Sequence, residues 1–156
     1  MTQHWKDSLD TYTKGIPFGV LAYVREDQTP IQRSFGSFAF QGADVFFSTR
    51  SEAGKVKALE AKPQASFFLE ADGQPLAEWK NILFLGRTES VNVAADVDEA
   101  VALLSARNPR FKERIEKNGL VGTTIFRLRT ESIELVDYAK GFGFSQKISV
   151  AETENV

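Results

Sequence analysis

The sequence predicts a mainly β protein, a β-barrel with α insertions built from about six to seven antiparallel strands. Three observations predict it. Phenylalanine occurs 13 times in 156 residues, and bulky aromatics suit pleated, half-buried surfaces and barrel cores. Short apolar segments recur along the chain, each ended by a cluster of turn-forming residues. Only two or three intervening stretches carry helical spacing.

The first strand is read over Gly19–Arg25 and ends at the polar run Glu26 to Pro30. Ile31–Phe40 follows as a second strand, and Gln41–Asp44 turns it into a third, Val45–Thr49. Ser51–Ala61 is expected to be a short helix, with Ser51 as N-cap, Val56 and Leu59 on one stripe, and Pro63 preventing continuation. Ala65–Leu69 is a further strand. Trp79–Val91 is a long one, and its internal Gly86 signals a bulge or a tight barrel bend.

Asp96–Ala106 is the clearest helix, since Asp96 and Glu99 have capping-box spacing and Val97, Val101 and Leu104 share a face. Asn108-Pro109 breaks it, and Arg110–Asn118 forms a second short helix ending at Gly119. Leu120–Leu128 and Ile133–Tyr138 complete the strands, joined by a polar turn at Thr130-Glu131-Ser132. Gly141-Phe142-Gly143-Phe144 fits a glycine-rich turn or a flap over a ligand, the turn being the simpler reading. The tail from Ser145 onward is expected to be loose. Nothing divides the chain, so residues 1–156 read as a single domain with its core over about 15–140.

Composition narrows the chemistry. With no cysteine, disulfides, thiolate nucleophiles and cysteine-held metals are excluded. A single histidine, His4, leaves no histidine metal cage and no serine–histidine triad. A formal net charge of -2 gives no broad attraction to nucleic acid or to anionic lipid. No apolar run spans a bilayer, and the first ten residues lack the apolar core of a signal peptide, so the expected location is cytoplasmic. The expected partners are small molecules, with no nucleic acid and no membrane.

The informative stretch is Arg33 to Lys55. If Ile31–Phe40 and Val45–Thr49 pair about the Gln41–Asp44 turn, residues whose numbers sum to about 84 face each other. Arg33 is then delivered to the strand end where Ser48, Thr49 and Ser51 lead into a helix. A helix N-terminus offers unpaired N–H groups and the positive end of a dipole. Two hydroxyls (Ser48, Thr49) and two cations (Arg33, Lys55) beside it suit a phosphate monoester. The plain alternative is a solvent-facing strand arginine and ordinary helix-surface lysines at Lys55 and Lys57.

The run FFSTRSEAGKVKALEAKPQASFFLE resembles the FMN-binding split-barrel family related to pyridoxamine 5'-phosphate oxidase. Members carry an arginine in one strand, a strand ending in (Tyr/Ser)-Thr, a loop, a lysine opening a helix, and a helix ending in (Asn/Lys)-Pro. Here these are Arg33, Ser48-Thr49, Lys55 and Lys62-Pro63, followed by the strand Ala65–Leu69. NILFLGRTESV is similar to the family's strand with an amide side chain and then a glycine, at Asn81 and Gly86; SIELVDY is similar to its closing strand. The likeness covers most of Pro17 to Tyr138.

The resemblance implies FMN as cofactor, with Arg33, Thr49 and Lys55 on its phosphate and Ser48 along the ribityl chain and ring. It implies a homodimer with the FMN sites at the subunit interface, where Asn81 hydrogen-bonds the ring across it. It implies an FMN-dependent oxidoreductase acting on a small-molecule substrate or NAD(P)H. Ala53 and Gly54 stand where the vitamin B6 oxidases carry Ser and Arg, and the C-terminal Arg-x-His is absent, so true pyridoxamine phosphate oxidase activity is not expected. A flavin-binding or stress-response protein without turnover, a haem-binding or haem-degrading relative, and a deazaflavin user are the alternatives on the same fold.

Overall fold

The computed structural model describes residues 9–150. His4 lies outside them. After a short helical segment at 9–13, the elements run β1 (Gly19–Val24), β2 (Pro30–Phe35), β3 (Phe38–Gln41), β4 (Asp44–Arg50), α1 (Gly54–Ala61), β5 (Gln64–Glu70), β6 (Lys80–Ser90), α2 (Ala94–Arg107), α3 (Pro109–Asn118), β7 (Thr123–Asp137) and β8 (Ser145–Ser149). The strands make one antiparallel sheet ordered β2-β1-β5-β6-β7-β4-β3, with β8 added beside β7. The two ends of that path, β2 and β3, are joined by Gly36 and Ser37, so the sheet curls and is split between them. The fold is a split β-barrel with helical insertions. No helix among the described residues is long and apolar enough to cross a membrane.

Alternation sets the core. Leu21 and Tyr23 of β1, Ile31 and Phe35 of β2, Val45 and Phe47 of β4, Phe67 and Leu69 of β5, Ile82 and Phe84 of β6, and Phe126 and Leu128 of β7 meet inside the barrel. A second core forms on the outside, where Ala100 and Leu104 of α2 and Phe111 of α3 cover Ala39, Phe46 and Ile125. Strand β4 is therefore buried on both faces, and its run DVFFSTR reads as continuous rather than alternating. The phenylalanines interlock, as in the stacked pair Phe47–Phe126, with ring centroids 5.4 Å apart.

Several elements depart from the sequence reading. Ile31–Phe40 is two strands, broken at Gly36 and Ser37. The Thr130-Glu131-Ser132 turn does not exist, because β7 runs unbroken through it and its Thr130 N–H donates to Asp44 Oδ1 at 3.0 Å. The tail is not loose from Ser145, since β8 pairs along β7 from Val136↔Ser145 to Ser132↔Ser149. Helix α2 begins at Ala94 without a side-chain cap, so the Asp96–Glu99 capping box does not form, and Glu99 instead accepts from Gln41 Nε2. Helix α3 is capped as its sequence suggests: Pro109 opens it and Asn108 Oδ1 accepts from the N–H groups of Arg110 and Phe111 at 3.1 and 3.2 Å. Gly141 to Phe144 form a turn, closed by Phe144 N–H to the Gly141 carbonyl at 2.9 Å.

The bulge expected at Gly86 is present, as the β6–β7 register shifts between Leu85 and Gly86. A Cβ on Gly86 would stand 1.9 Å from the Arg129 carbonyl oxygen, a backbone atom that cannot swing aside. Gly86→Ala is expected to destabilise the protein by about 2–4 kcal/mol, read as a lower urea midpoint in equilibrium unfolding.

Candidate functional site

The split in the barrel opens into a cleft of about 610 Å³ whose lining includes Tyr23, Arg25, Arg33, Lys55 and Lys57. Each arrives for a local reason. Arg33 lies opposite Leu21 in the β1–β2 register, between Ile31 and Phe35, and so shares the inward side of β2 although exposed. The break after Phe35 leaves nothing beside this stretch of β2 to pair with, and the N-terminal end of α1 fills the gap. Thr49, inward-facing like Val45 and Phe47, is buried at the end of β4. Lys55 spans the split, its ammonium donating to Thr49 Oγ1 at 3.2 Å and lying 4.8 Å from the centroid of the Phe35 ring.

The charges here are unbalanced. None of Arg25, Arg33, Lys55 and Lys57 takes part in an ion pair among the described residues. Two carboxylates, Glu26 and Asp27, also line the cleft, but Asp27 is turned to its own loop, where it accepts from the Thr29 N–H at 3.0 Å. Burial first, then the nearby charges of Arg33 and Arg50, hold the Lys55 pKa below its ordinary value.

Helix α1 adds to the same field. It begins at Gly54 behind Ala53, which offers no side-chain cap, and no acidic residue stands in its first turn. Ser51 is not the N-cap: its hydroxyl is taken by Thr124 Oγ1 at 2.8 Å and its N–H by the Gly122 carbonyl at 2.9 Å, which holds it against β7 three residues before the helix. The Val56 N–H is taken by the Ala53 carbonyl at 3.0 Å, but no side chain caps the first turn of α1, and an oxyanion is what a helix N-terminus and cations together favour.

Arg33, Thr49 and Lys55 are thus brought together. Ser48 is adjacent in sequence but points to the other face of β4, where its hydroxyl pairs with that of Ser37. Asn81 lies apart, on the outward side of β6, three strands from β2 and roughly 15 Å from Arg33. Its Nδ2 donates to Glu70 Oε2 at 3.1 Å, an oxygen that also accepts from Trp79 Nε1 at 2.7 Å. Arg25 is an addition that the sequence did not point to, and Lys57, read from sequence as an ordinary helix-surface lysine, lines the cleft as well. Their only signal was spacing, Lys57 being two residues beyond Lys55 and Arg25 closing the strand that pairs with β2.

Neither protein-family models nor curated proteins match the chain. Solved structures do. A haem-binding protein from Mycobacterium smegmatis superposes with a TM-score of 0.74 at 17% identity, covering 92% of this chain and 57% of that one. A Clostridium acetobutylicum protein related to general stress protein 26, of the pyridoxinephosphate oxidase family, gives 0.74 at 9% identity over 97% of this chain and 99% of that one. General stress protein 26 from Bacillus anthracis gives 0.64 at 18% identity over 93% and 99%. The chain has the split-barrel fold of pyridoxamine 5'-phosphate oxidase-like proteins. It spans little more than half the length of the haem-binding protein.

The lowered pKa of Lys55 makes a signed prediction. Between that pKa and the ordinary lysine value, the unfolded chain binds a proton at this position that the folded chain does not, so stability rises with pH across this window. Against Lys55→Met, which cannot titrate, the wild type is expected to gain stability as pH rises through the window and to show a constant difference below it. Urea unfolding of both proteins between about pH 8 and 11 checks this.

Proposed function

We propose that the chain is a flavoprotein that holds FMN by its phosphate and serves as an oxidoreductase, though not as a true pyridoxamine 5'-phosphate oxidase. The observation that carries the reading is that Arg33 and Lys55 line one cleft with the uncapped start of α1, that Thr49 accepts from Lys55, and that the cleft's cations have no ion-pair partner among the described residues. A phosphate dianion fits this donor set in charge and in hydrogen-bonding sense. Bound FMN supplies hydride and electron chemistry, and the chain's residues anchor and orient it. The electron donor is NAD(P)H or a reduced small-molecule substrate.

The working form we propose is a homodimer with the flavin sites at the subunit interface. Asn81 lies on the outward side of the sheet and Arg33 on the inward side, so in this reading its contact with a ring comes from a second copy. The outward side of β1, β5 and β6 supports such pairing, because Val20, Phe68 and Leu83 lie in one cross-strand row and all three are half-buried with no described helix packed over them. A cytoplasmic location accords with this function.

Two similarities favour other ligands or roles. The likeness to general stress protein 26 is in keeping with a stress-response role, which a flavin-binding protein without turnover would fit, and the likeness to the mycobacterial haem-binding protein is in keeping with haem. The side chains weigh against haem: His4 is the only histidine and the chain has no cysteine, which leaves few ordinary axial ligands.

Arg33→Ala and Lys55→Ala are each expected to weaken FMN binding by roughly 10- to 150-fold, the loss of one charge-assisted contact, in fluorescence titrations. A flavin spectrum retained after desalting, with NAD(P)H oxidation, supports the full reading. Retained flavin without turnover supports the non-catalytic one. A Soret band on haem titration with no flavin binding replaces both. Light scattering is expected to give twice the chain mass at micromolar concentration.

A further inference from the structure

Tyr23 is the one uncharged polar side chain that lines the cleft, and the phosphate reading leaves it unused. It faces inward from β1 beside Leu21, and with 7% of its surface exposed its ring belongs to the barrel core. In the β1–β2 register Tyr23 lies opposite Ile31 and Leu21 opposite Arg33. Tyr23 and Arg33 are therefore diagonal neighbours on one face, close enough for two long side chains to serve one ligand.

The Tyr23 hydroxyl makes no hydrogen bond to any described residue. Across the described residues, only Gln41 Oε1 and Thr130 Oγ1 are side-chain polar atoms both sealed from solvent and unpartnered. The phenol oxygen is not one of them, so it reaches open space. Tyr23 borders two cavities, the cationic cleft with Arg33 and Lys55 and a second one with Ala22, Val24, Ser66 and Leu85; its side chain lies on the inward side of β1, the side of Arg33, which assigns the hydroxyl to the cationic cleft. A buried tyrosine normally spends its hydroxyl on a partner. Here the ring is fixed by packing while the O–H is free, an arrangement that orders a donor before any ligand arrives.

We infer that the Tyr23 hydroxyl is a fourth phosphate-binding group, donating to an oxygen of the phosphate monoester held by Arg33, Lys55 and Thr49. This rests on the phosphate reading above and deepens it. The neutral hydroxyl adds a hydrogen bond without adding to the positive charge of Arg33 and Lys55 on the same cleft. It reaches the anion from the floor of the cleft, on the β1 side, whereas Lys55 comes from α1 and Thr49 from β4.

The test compares FMN with riboflavin, which differ only by the phosphate, on the wild type, Tyr23→Phe and Lys55→Met. Phenylalanine keeps the buried ring, and an unchanged thermal midpoint without ligand shows that packing survives. The expected result is FMN affinity about tenfold weaker in Tyr23→Phe, with riboflavin affinity unchanged. Unchanged FMN affinity in Tyr23→Phe, while Lys55→Met still weakens it, overturns the inference and leaves the phosphate site standing. Equal losses for FMN and riboflavin overturn it too, by placing Tyr23 against another part of the ligand. Wild-type protein that binds FMN no better than riboflavin overturns the phosphate reading itself.

Discussion

The cleft depends on a break in the barrel wall at Gly36 and Ser37, and three hydrogen bonds hold that break in place. Asn108 Nδ2 donates to the Gly36 carbonyl at 3.1 Å, Ser48 N–H donates to the Ser37 carbonyl at 3.1 Å, and the Ser37 and Ser48 hydroxyls pair. Had the chain run on as one strand, the backbone of Arg33 would lie against the end of β4 and the ladder would close over the space Lys55 now occupies. Because it bends, β2 leaves β4 and pairs only with β1, and the side chains on the two sides of the opening face each other without backbone between them. Asn108 also caps α3, so the helical insertion and the bend share one side chain. Ser48 therefore supports the site through the bend it pins as well as through its place beside Thr49.

A site of this kind is held under electrostatic tension. Arg33 and Lys55 repel, α1 presents its positive end uncapped, and the neighbouring Arg50 is only weakly tied at the surface to Glu52, 3.8 Å away. Two cations elsewhere are held by the fold: Arg127 meets Asp44 at 2.6 Å with both side chains mostly covered, and Arg107 donates to the Thr13 and Ile16 carbonyls at 2.8 Å each while lying over the Phe38 ring. Arg33 donates to the carbonyl of its neighbour Gln32 at 2.9 Å, and in the function proposed above it and Lys55 hold an anion. Proteins accept such local destabilisation where binding relieves it.

What the sequence made legible was local. The hairpin about Gln41–Asp44 forms with Phe40 opposite Val45, one residue from the register read off the turn. The bulge at Gly86 and the Asn108-Pro109 helix boundary follow from residue types with few structural options. Arg33 reaches the cleft it shares with Lys55 by another route than the hairpin that was expected to carry it, because β2 pairs with β1 and not with β4. The errors arose where tertiary pairing outweighed local preference. Ser51 is a good cap in isolation, but β7 takes its hydroxyl. Thr130-Glu131-Ser132 is polar enough for a turn, but β6 on one side and the Asp44 carboxylate on the other keep it extended. Ser145 to Ser149 have little apolar content, yet β7 has an open edge there and polar residues can fill it through backbone bonds alone.

The same fold carrying stress-related and haem-binding proteins means that architecture does not choose the ligand here. The choice falls to the few side chains at the split. Haem is a large apolar ring that asks for an iron ligand and a deep apolar slot, whereas this opening is lined by four cations and floored by a phenol. Those groups recognise an anion first and whatever is attached to it second. In the function proposed above, affinity is set at the phosphate end, by residues of one chain, while selectivity for the attached group is left to surfaces outside the cleft, among them the Glu70–Trp79–Asn81 cluster on the opposite side of the sheet. Separating the anchor from the discriminating surface lets one barrel keep its phosphate grip while the chemistry presented to the rest of the ligand changes.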